Sequence, residues 1–145
     1  MMKETLIQYR FIIVPVLTWF VIQTFKVIYE LIKTKKFNFK RILGPGGMPS
    51  SHAATVMALS VMIGREYGFD SALFALSLMF SIVVMYDASG IRRAAGKQAK
   101  LLNKIVETPG LTGVEVQERL VEVLGHTPKE VFVGAIIGVI IGCIF

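Results

Sequence analysis

The sequence predicts an all-α protein, a polytopic membrane bundle of about four transmembrane helices with one or two short amphipathic helices between the third and fourth spans. Hydrophobic residues make up 54% of the 145-residue chain and charged residues 18%, against about 45–50% and 25% in soluble domains. The apolar residues also fall into four long runs. A chain of this length is expected to form one integral membrane domain, residues 1–145.

The first apolar run predicts one helix from Leu6 to Ile32, with Pro15 inside it. The other runs lie at about Ser51–Gly64, Ser71–Tyr86 and Val131–Phe145. Each of these is somewhat shorter than the ~20 residues of a typical span, so a soluble helical bundle is an alternative. Helices of a soluble bundle need polar faces, but the only polar residues of the third run before its final tyrosine are serines. The membrane interpretation is therefore preferred.

The positive charges are concentrated in two segments. Of 16 basic residues, five lie between Lys33 and Arg41 and five between Arg92 and Lys104, and neither segment contains an acid. No nucleic-acid-binding motif accompanies them, so membrane lipids and a lipid phosphate are the expected partners, and nucleic acid is not. With four alternating spans both segments emerge on one side, which the positive-inside rule predicts to be cytoplasmic. We expect a multi-pass protein of the cell membrane.

A glycine- and proline-rich loop, with the sequence GPGGMPSSH over residues 44–52, precedes the predicted second span. Either Ser50 or Ser51 can cap that helix. Glycines allow a ligand to approach the backbone closely, and the N–H groups of a first helical turn bind anions. The loop is thus a candidate phosphate site, although capped helix starts of this kind also occur without a ligand.

Between the third and fourth spans the pattern changes from uniformly apolar to amphipathic. Residues Lys97–Glu107 place leucines and an isoleucine on one side and lysines on another, as in an interfacial helix. A capping box over residues 112–115 predicts a second amphipathic helix that ends at Gly125. The sequence TPKE over residues 127–130 predicts the capped start of the last span, which puts His126 at a helix N-terminus.

A stripe of small residues, Gly134, Gly138 and Gly142, recurs every four positions along the last span. Such a stripe allows two membrane helices to pack closely, because their backbones can approach each other. We expect it to be used either inside the bundle or in a homodimer.

Three sequence blocks resemble a known superfamily. The segment PSSH at residues 49–52 is similar to the P-S-G-H signature of the type 2 phosphatidic acid phosphatases, a superfamily that includes vanadium-dependent haloperoxidases. The longer strings GGMPSSHA, YDASGIRR and LGHTP, which begin at positions 46, 86 and 124, resemble a small divergent branch of that superfamily. With their surroundings, these blocks span most of the chain from Arg41 to Gly138.

The resemblance implies hydrolysis of a phosphate ester through a phosphohistidine. In the superfamily the histidine of the last motif attacks phosphorus, an acid orients it, and the histidine of P-S-G-H protonates the leaving group. Carried over by motif, these residues are His126, Glu130 and His52. The remaining implied site residues are the phosphate-binding Lys26, Arg41, Ser50, Ser51, Arg92 and Arg93, with Asp87 as a possible orienting acid. No metal or other cofactor is implied.

The sequence departs from the pattern of the superfamily at several places, one of which is that Lys26 is farther from Arg41 than in the usual spacing. Ser51 replaces the glycine of P-S-G-H, and Ile42 follows Arg41 where the family has proline. Leu120 occupies the position of an arginine in the last motif. An arginine of the YDASGIRR block is expected to supply the missing charge.

The resemblance implies a membrane phosphatase that cleaves a phosphate monoester or diphosphate of a lipid, such as phosphatidate, phosphatidylglycerophosphate or a polyprenyl diphosphate. The alternative is a noncatalytic membrane protein that binds or transports a phosphorylated or anionic ligand, which the missing arginine favours. Metal-dependent headgroup transfer is a further alternative, but Asp87 is the only aspartate after Asp70, and a two-metal site needs several carboxylates. Haloperoxidase activity is less favoured, because the known haloperoxidases are soluble.

Overall fold

The chain forms helices where the sequence has its apolar and amphipathic runs, as seen in a computed structural model that describes residues 7–35, 47–108, 120–122 and 124–145. Within these ranges there are α-helices and no strands, as the all-α prediction requires. The site residue Arg41 and the predicted capping box at residues 112–115 lie outside the described residues. The helices are α1 (Arg10–Thr34), α2 (Ser51–Tyr67), α3 (Ala72–Ser89), α4 (Ile91–Glu107) and α5 (Pro128–Ile144).

Polar caps fix where α2 and α5 begin. The Ser50 side chain accepts a hydrogen bond from the N–H of Ala53 at 3.4 Å, so α2 begins at the next residue after Ser50. α5 begins with the predicted capping box, in which Thr127 Oγ1 accepts from the Glu130 N–H and the Glu130 carboxylate accepts from the Thr127 N–H. These caps satisfy N–H groups that have no acceptor within their own helix. The predicted starts of both helices are confirmed.

α2 is the central helix of the bundle, since α1, α3 and α5 all pack against it. The glycine stripe of α5 faces α2. A Cβ added at Gly138 would collide with the carbonyl oxygen of Ala54. The other two glycines of the stripe face the carbonyl oxygens of Ser50, directly before α2, and of Ala58 within it. The two backbones approach closely because these positions lack side chains. The stripe is therefore buried against α2 within one chain, which is the first of its two expected uses.

α1 and α3 run in one direction through the bundle and α2 and α5 run in the other, which gives the bundle two ends. At one end Arg10 of α1 forms an ion pair with Glu66 of α2. Arg65 donates hydrogen bonds there to the carbonyl oxygens of Gly142 (3.0 Å) and Cys143 (2.6 Å) at the end of α5. The opposite end collects the end of α3 and the starts of α2, α4 and α5. It is this second end that carries the predicted histidines.

Two stretches of the described residues are long and apolar enough to cross a membrane. They are Arg10–Ile32 and Ala72–Glu107, the second of which joins α3 and α4 through Gly90. α2 and α5 have 17 residues each, so each is about 25 Å long against a hydrocarbon core of about 30 Å. The count of four spans therefore stays a prediction. Large apolar side chains such as Phe80 and Phe132 are more than half exposed, which suits a surface in contact with lipid.

The region between α3 and α5 differs from the prediction. α4 begins at Ile91, earlier than its amphipathic pattern indicated. The second amphipathic helix was predicted to run to Gly125, but the described residues 120–122 and 124 are not helical. The physical reason is Asn103 of α4, whose side chain donates to the Leu120 carbonyl (2.9 Å) and accepts from the Leu120 N–H (3.0 Å). The backbone at Leu120 thus pairs with a side chain of α4 instead of with its own helix.

Candidate functional site

The backbone of His126 is fixed to the end of α3. Its N–H donates to the carbonyl oxygen of Ala88 at 2.8 Å. The preceding Gly125 has a φ of +82°, and a Cβ there would lie 2.5 Å from the backbone nitrogen of Arg93. Glycine alone fits this position without strain. The sequence Gly-His therefore holds His126 against the α3–α4 junction, with its side chain only 5% exposed.

Glu130 orients the His126 ring. The ring Nδ1 lies 3.2 Å from Glu130 Oε2, and the same oxygen accepts the Thr127 N–H at 2.9 Å. An ionised carboxylate can only accept, so Nδ1 carries the proton and donates it to this bond. The Nε2 lone pair is then the basic position of the ring. One carboxylate thus serves both as the capping-box acid of α5 and as the partner of His126.

The His126 ring favours its neutral form. Burial lowers the pKa of His126 below its ordinary value of 6.5, and the positive charge of Lys26 lowers it further. The hydrogen bond to Glu130 and the charge of that carboxylate raise the pKa, and His52 contributes a small lowering effect. The net shift is downward, so the ring is neutral at neutral pH. A neutral imidazole with its proton on Nδ1 has the form that a nucleophile at Nε2 requires.

The start of α2 contributes Ser50, Ser51 and His52. The two serines are buried, at 0% and 3% exposure, whereas His52 is exposed. The Ser50 N–H donates to the carbonyl oxygen of Glu130 at 3.0 Å, which joins the starts of α2 and α5. The Ser50 N–H therefore already has an acceptor within the protein. The amides of Ser51 and His52 are those of the first turn that can bind an anion.

Lys26 is a buried charge near both histidines. It lies on α1 with 4% exposure, and its positive charge acts on both His52 and His126. The side chain therefore does not extend to the aqueous surface. A buried ammonium in this position supplies fixed positive charge where a phosphate would bind.

An ion pair crosses the α3–α4 junction beside His52. Arg92 Nε donates to Asp87 Oδ2 at 2.6 Å, and both side chains are partly exposed. The charges of Arg92 and Asp87 both act on His52. Asp87 is thus the partner of Arg92, while Glu130 is the acid that contacts His126.

These contacts bring most of the predicted site residues to one end of the bundle. The Arg93 side chain is not part of this group within the described residues, although its backbone lies against Gly125. Nor do any three His, Cys, Asp or Glu side chains of the described ranges form a group that could hold a metal ion. The residues brought together are Lys26, Ser50, Ser51, His52, Asp87, Arg92, His126 and Glu130.

Sequence reasoning missed the residues that hold the segment before His126. Asn103 is 5% exposed, and besides Leu120 it contacts Glu122, whose Oε1 accepts from Nδ2 at 3.0 Å. A Cβ at Gly96 would lie 2.6 Å from the carbonyl oxygen of Glu122. The lack of a side chain at Gly96 therefore allows the segment before His126 to lie directly against α4. In the sequence these two residues appear only as an asparagine and a glycine of a basic helix. Neither residue type indicates which segment, distant in sequence, it will contact.

Comparison with known proteins adds a family to this geometry. Residues 7–141 match the family described as "Divergent PAP2 family". The chain is also 41% identical over 130 residues to the uncharacterized membrane protein YuiD of Bacillus subtilis (strain 168), with 82% of each chain covered. No solved structure matches the chain. The membrane relative and the two apolar helices long enough to span a bilayer both support a location in the membrane.

Proposed function

Because this chain belongs to the divergent PAP2 family, we propose that it is an integral membrane phosphatase that hydrolyses a phosphate monoester or diphosphate of a lipid through a phosphohistidine. PAP2 stands for type 2 phosphatidic acid phosphatase. The observation that carries the proposal is the hydrogen bond between His126 and Glu130. It fixes the proton on Nδ1 and leaves the Nε2 lone pair of a buried, neutral imidazole for attack.

The proposed reaction has two steps. In the first, Nε2 of His126 attacks phosphorus, a P–N bond forms, and the P–O bond to the leaving group breaks as protonated His52 donates its proton to the leaving oxygen. Partial desolvation and the charges of Arg92 and Lys26 lower the pKa of His52 in the free protein, and the negative charge of a bound phosphate ester favours the protonated form that this step needs. In the second, a water molecule gives a proton to His52 and attacks the phosphohistidine, which breaks the P–N bond. Inorganic phosphate is released, and both histidines return to their starting forms.

Fixed positive charge stabilises the phosphate oxygens in this proposal. Lys26 is assigned to them because its buried charge acts on both histidines. The first-turn amides of α2 and the Arg92 guanidinium are assigned the remaining oxygens, since charge development in phosphoryl transfer falls on the nonbridging positions. Asp87 holds the guanidinium in place through its ion pair with Arg92.

A noncatalytic role in binding or transporting an anionic ligand is the second candidate. It is favoured by Leu120, which stands where the last motif has an arginine and whose side chain is 49% exposed. The proposed substitute, Arg92, is already paired with Asp87. Loss of one fixed positive charge weakens stabilisation of the transition state more than it weakens binding of the ground state.

Phosphate release by the purified, detergent-solubilised protein tests the hydrolytic proposal. The substrates are phosphatidate, phosphatidylglycerophosphate and a polyprenyl diphosphate, each with and without chelator. We expect release from at least one of them that resists chelator, is abolished in His126→Asn and is strongly reduced in His52→Asn. Folded protein that binds vanadate but releases no phosphate from any substrate would contradict hydrolysis and support the binding role.

In the proposed orientation the histidine end faces the cytoplasm, because α1 ends there at the described Lys35 and the basic helix α4 begins there. Cys143 is the only cysteine of the chain and is exposed at the opposite end. A membrane-impermeant maleimide applied to intact cells should therefore label Cys143. It should not label a Lys35→Cys variant in a Cys143→Ser background, since Lys35 follows α1 at the histidine end. The reverse pattern would contradict this orientation.

A further inference from the structure

A large groove runs between α1 and α5. Both helices pack on α2, and the open cavity between them has a volume of about 910 Å³. This volume is near the upper end of the range of ligand pockets, about 300–1,000 Å³. Its walls include Val21 and Phe25 of α1, Val133 and Ile137 of α5, and Met48 of the segment before α2.

The register of α5 explains why the groove is apolar. Gly134 and Gly138 face α2, so Val133 and Ile137 form the adjacent ridge, which faces the groove. The opposite wall belongs to the candidate span Arg10–Ile32. The walls therefore lie at a level where a bilayer supplies hydrocarbon and not water.

The groove adjoins the histidine site through Lys26 and Pro49. Lys26 lines it, and the charge of Lys26 acts on both histidines. Pro49 also lines it and directly precedes Ser50, the cap of α2. Glu30 lines the groove one turn beyond Lys26, where its negative charge disfavours an anionic group of a ligand. Among the described residues that line the groove, Lys26 is the one that favours an anion, and most of the others are apolar.

We propose that the groove between α1 and α5 binds the hydrocarbon chain of a phosphorylated lipid whose phosphate lies at Lys26. This inference rests on the proposed function and deepens it, because it assigns the part of the substrate that is recognised away from the reacting group. The open side of the groove faces the surrounding lipid, so the substrate reaches the histidines sideways from the bilayer. The protein should therefore discriminate against water-soluble phosphate esters that carry the same headgroup.

Variants that fill the groove test this proposal. Val133→Trp and Ile137→Trp extend an indole into the groove, and Ile140→Trp, on the exposed face of α5, is the matched control. The kcat/KM is measured for long-chain phosphatidate and for its water-soluble short-chain analogue. We expect the ratio of the long-chain to the short-chain value to fall by at least about tenfold in the groove variants and to stay unchanged in the control. Equal losses for both substrates, or no loss, would overturn the proposal.

A second measurement does not depend on turnover. A long-chain alkyl phosphate with a diazirine in mid-chain is photolysed with the wild-type protein in detergent–lipid micelles, and its adducts are located by mass spectrometry. We expect adducts on the α1 and α5 walls of the groove that an unlabelled long-chain phosphate suppresses and an uncharged diacylglycerol does not.

Two other labelling patterns would overturn the proposal. Adducts spread evenly to the exposed α3 residues Leu76 and Val83 would indicate ordinary bilayer lipid, and groove adducts replaced by contacts between two protein copies would indicate a dimer interface. Specific groove labelling by a protein that releases no phosphate would support the groove and contradict only the hydrolytic step. The two proposals can therefore fail separately.

Discussion

The N–H of Ser50 donates a 3.0 Å hydrogen bond to the carbonyl oxygen of Glu130. This bond ties the cap of α2 to the first turn of α5, the two helix starts that carry His52 and His126. Gly134 of α5 lies against the Ser50 carbonyl, so both the N–H group and the carbonyl group of Ser50 contact α5. The distance between the proposed acid and the proposed nucleophile is therefore set by backbone contacts.

Glu130→Gln should separate the orientation of His126 from the capping of α5. Glutamine also serves at the third position of a capping box, so the helix should keep its stability. It does not hold the proton on Nδ1 as a carboxylate does, and we expect kcat to fall by about 10²–10⁴-fold. Thr127→Ala is the matched control, which should lower the free energy of unfolding by about 0.5–2 kcal/mol and keep kcat. Wild-type kcat in Glu130→Gln would contradict the orienting role.

The pH dependence of phosphate release should report the lowered pKa of His126. Burial and the charge of Lys26 keep the ring neutral below its ordinary pKa of 6.5, so the acidic limb of kcat/KM should lie below that pH. Lys26→Met removes a charge that opposes protonation, and it should move the limb to higher pH. Lys100→Met, on the exposed surface of α4, should not move it. A limb that moves to lower pH in Lys26→Met would refute this assignment.

Gly125→Ala should displace His126. Its φ of +82° disfavours any side chain, and the added Cβ would meet the backbone of Arg93 and Ala88. We expect lower thermal stability and a loss of phosphate release that exceeds the loss of folded protein. Gly68→Ala is the matched control, because Gly68 has a φ of +93° at the other end of the bundle. It should lose stability alone, and equal activity per folded molecule in both variants would contradict the positioning role of Gly125.

Gly138→Ala should weaken the contact between α2 and α5. An alanine normally stabilises a helix relative to glycine, but here the added methyl would collide with the Ala54 carbonyl and lie 2.8 Å from the Met57 Cβ. We expect a net destabilisation of about 1–3 kcal/mol, measured by denaturant titration in detergent. Val139→Ile enlarges the exposed face of the same helix and should be neutral. A stabilised Gly138→Ala variant would show that the helices can separate at no cost.

The sequence allowed the helix starts to be predicted because capping is local. Ser50, Thr127 and Glu130 mark their helices within a few residues of where each begins. The segment at Leu120 was assigned to a helix because its amphipathic pattern is also local, and the side chain that overrides it, Asn103, is distant in sequence. Local patterns do not encode such partners.

The same distinction applies to the candidate site. The motifs predicted which residues gather at one end of the bundle. The His126–Glu130 contact accompanies the capping box, which turns the Glu130 carboxylate back toward the residues that precede α5. Two other features depend on how separate helices pack: the hydrogen bond from the Ser50 N–H to the Glu130 carbonyl, and the groove between α1 and α5. Those features required the three-dimensional arrangement.

α5 carries Glu130, the acid proposed to orient the nucleophile His126, and it carries the glycine face on which α2 packs. It is also the last of the described helices to leave the ribosome. Until it has been synthesised, α2 lacks the surface that completes its packing, and the Ser50 N–H lacks its acceptor on Glu130. A partly made chain that lacks α5 therefore contains His52 and Lys26 but not the contacts that bring His126 and Glu130 beside them.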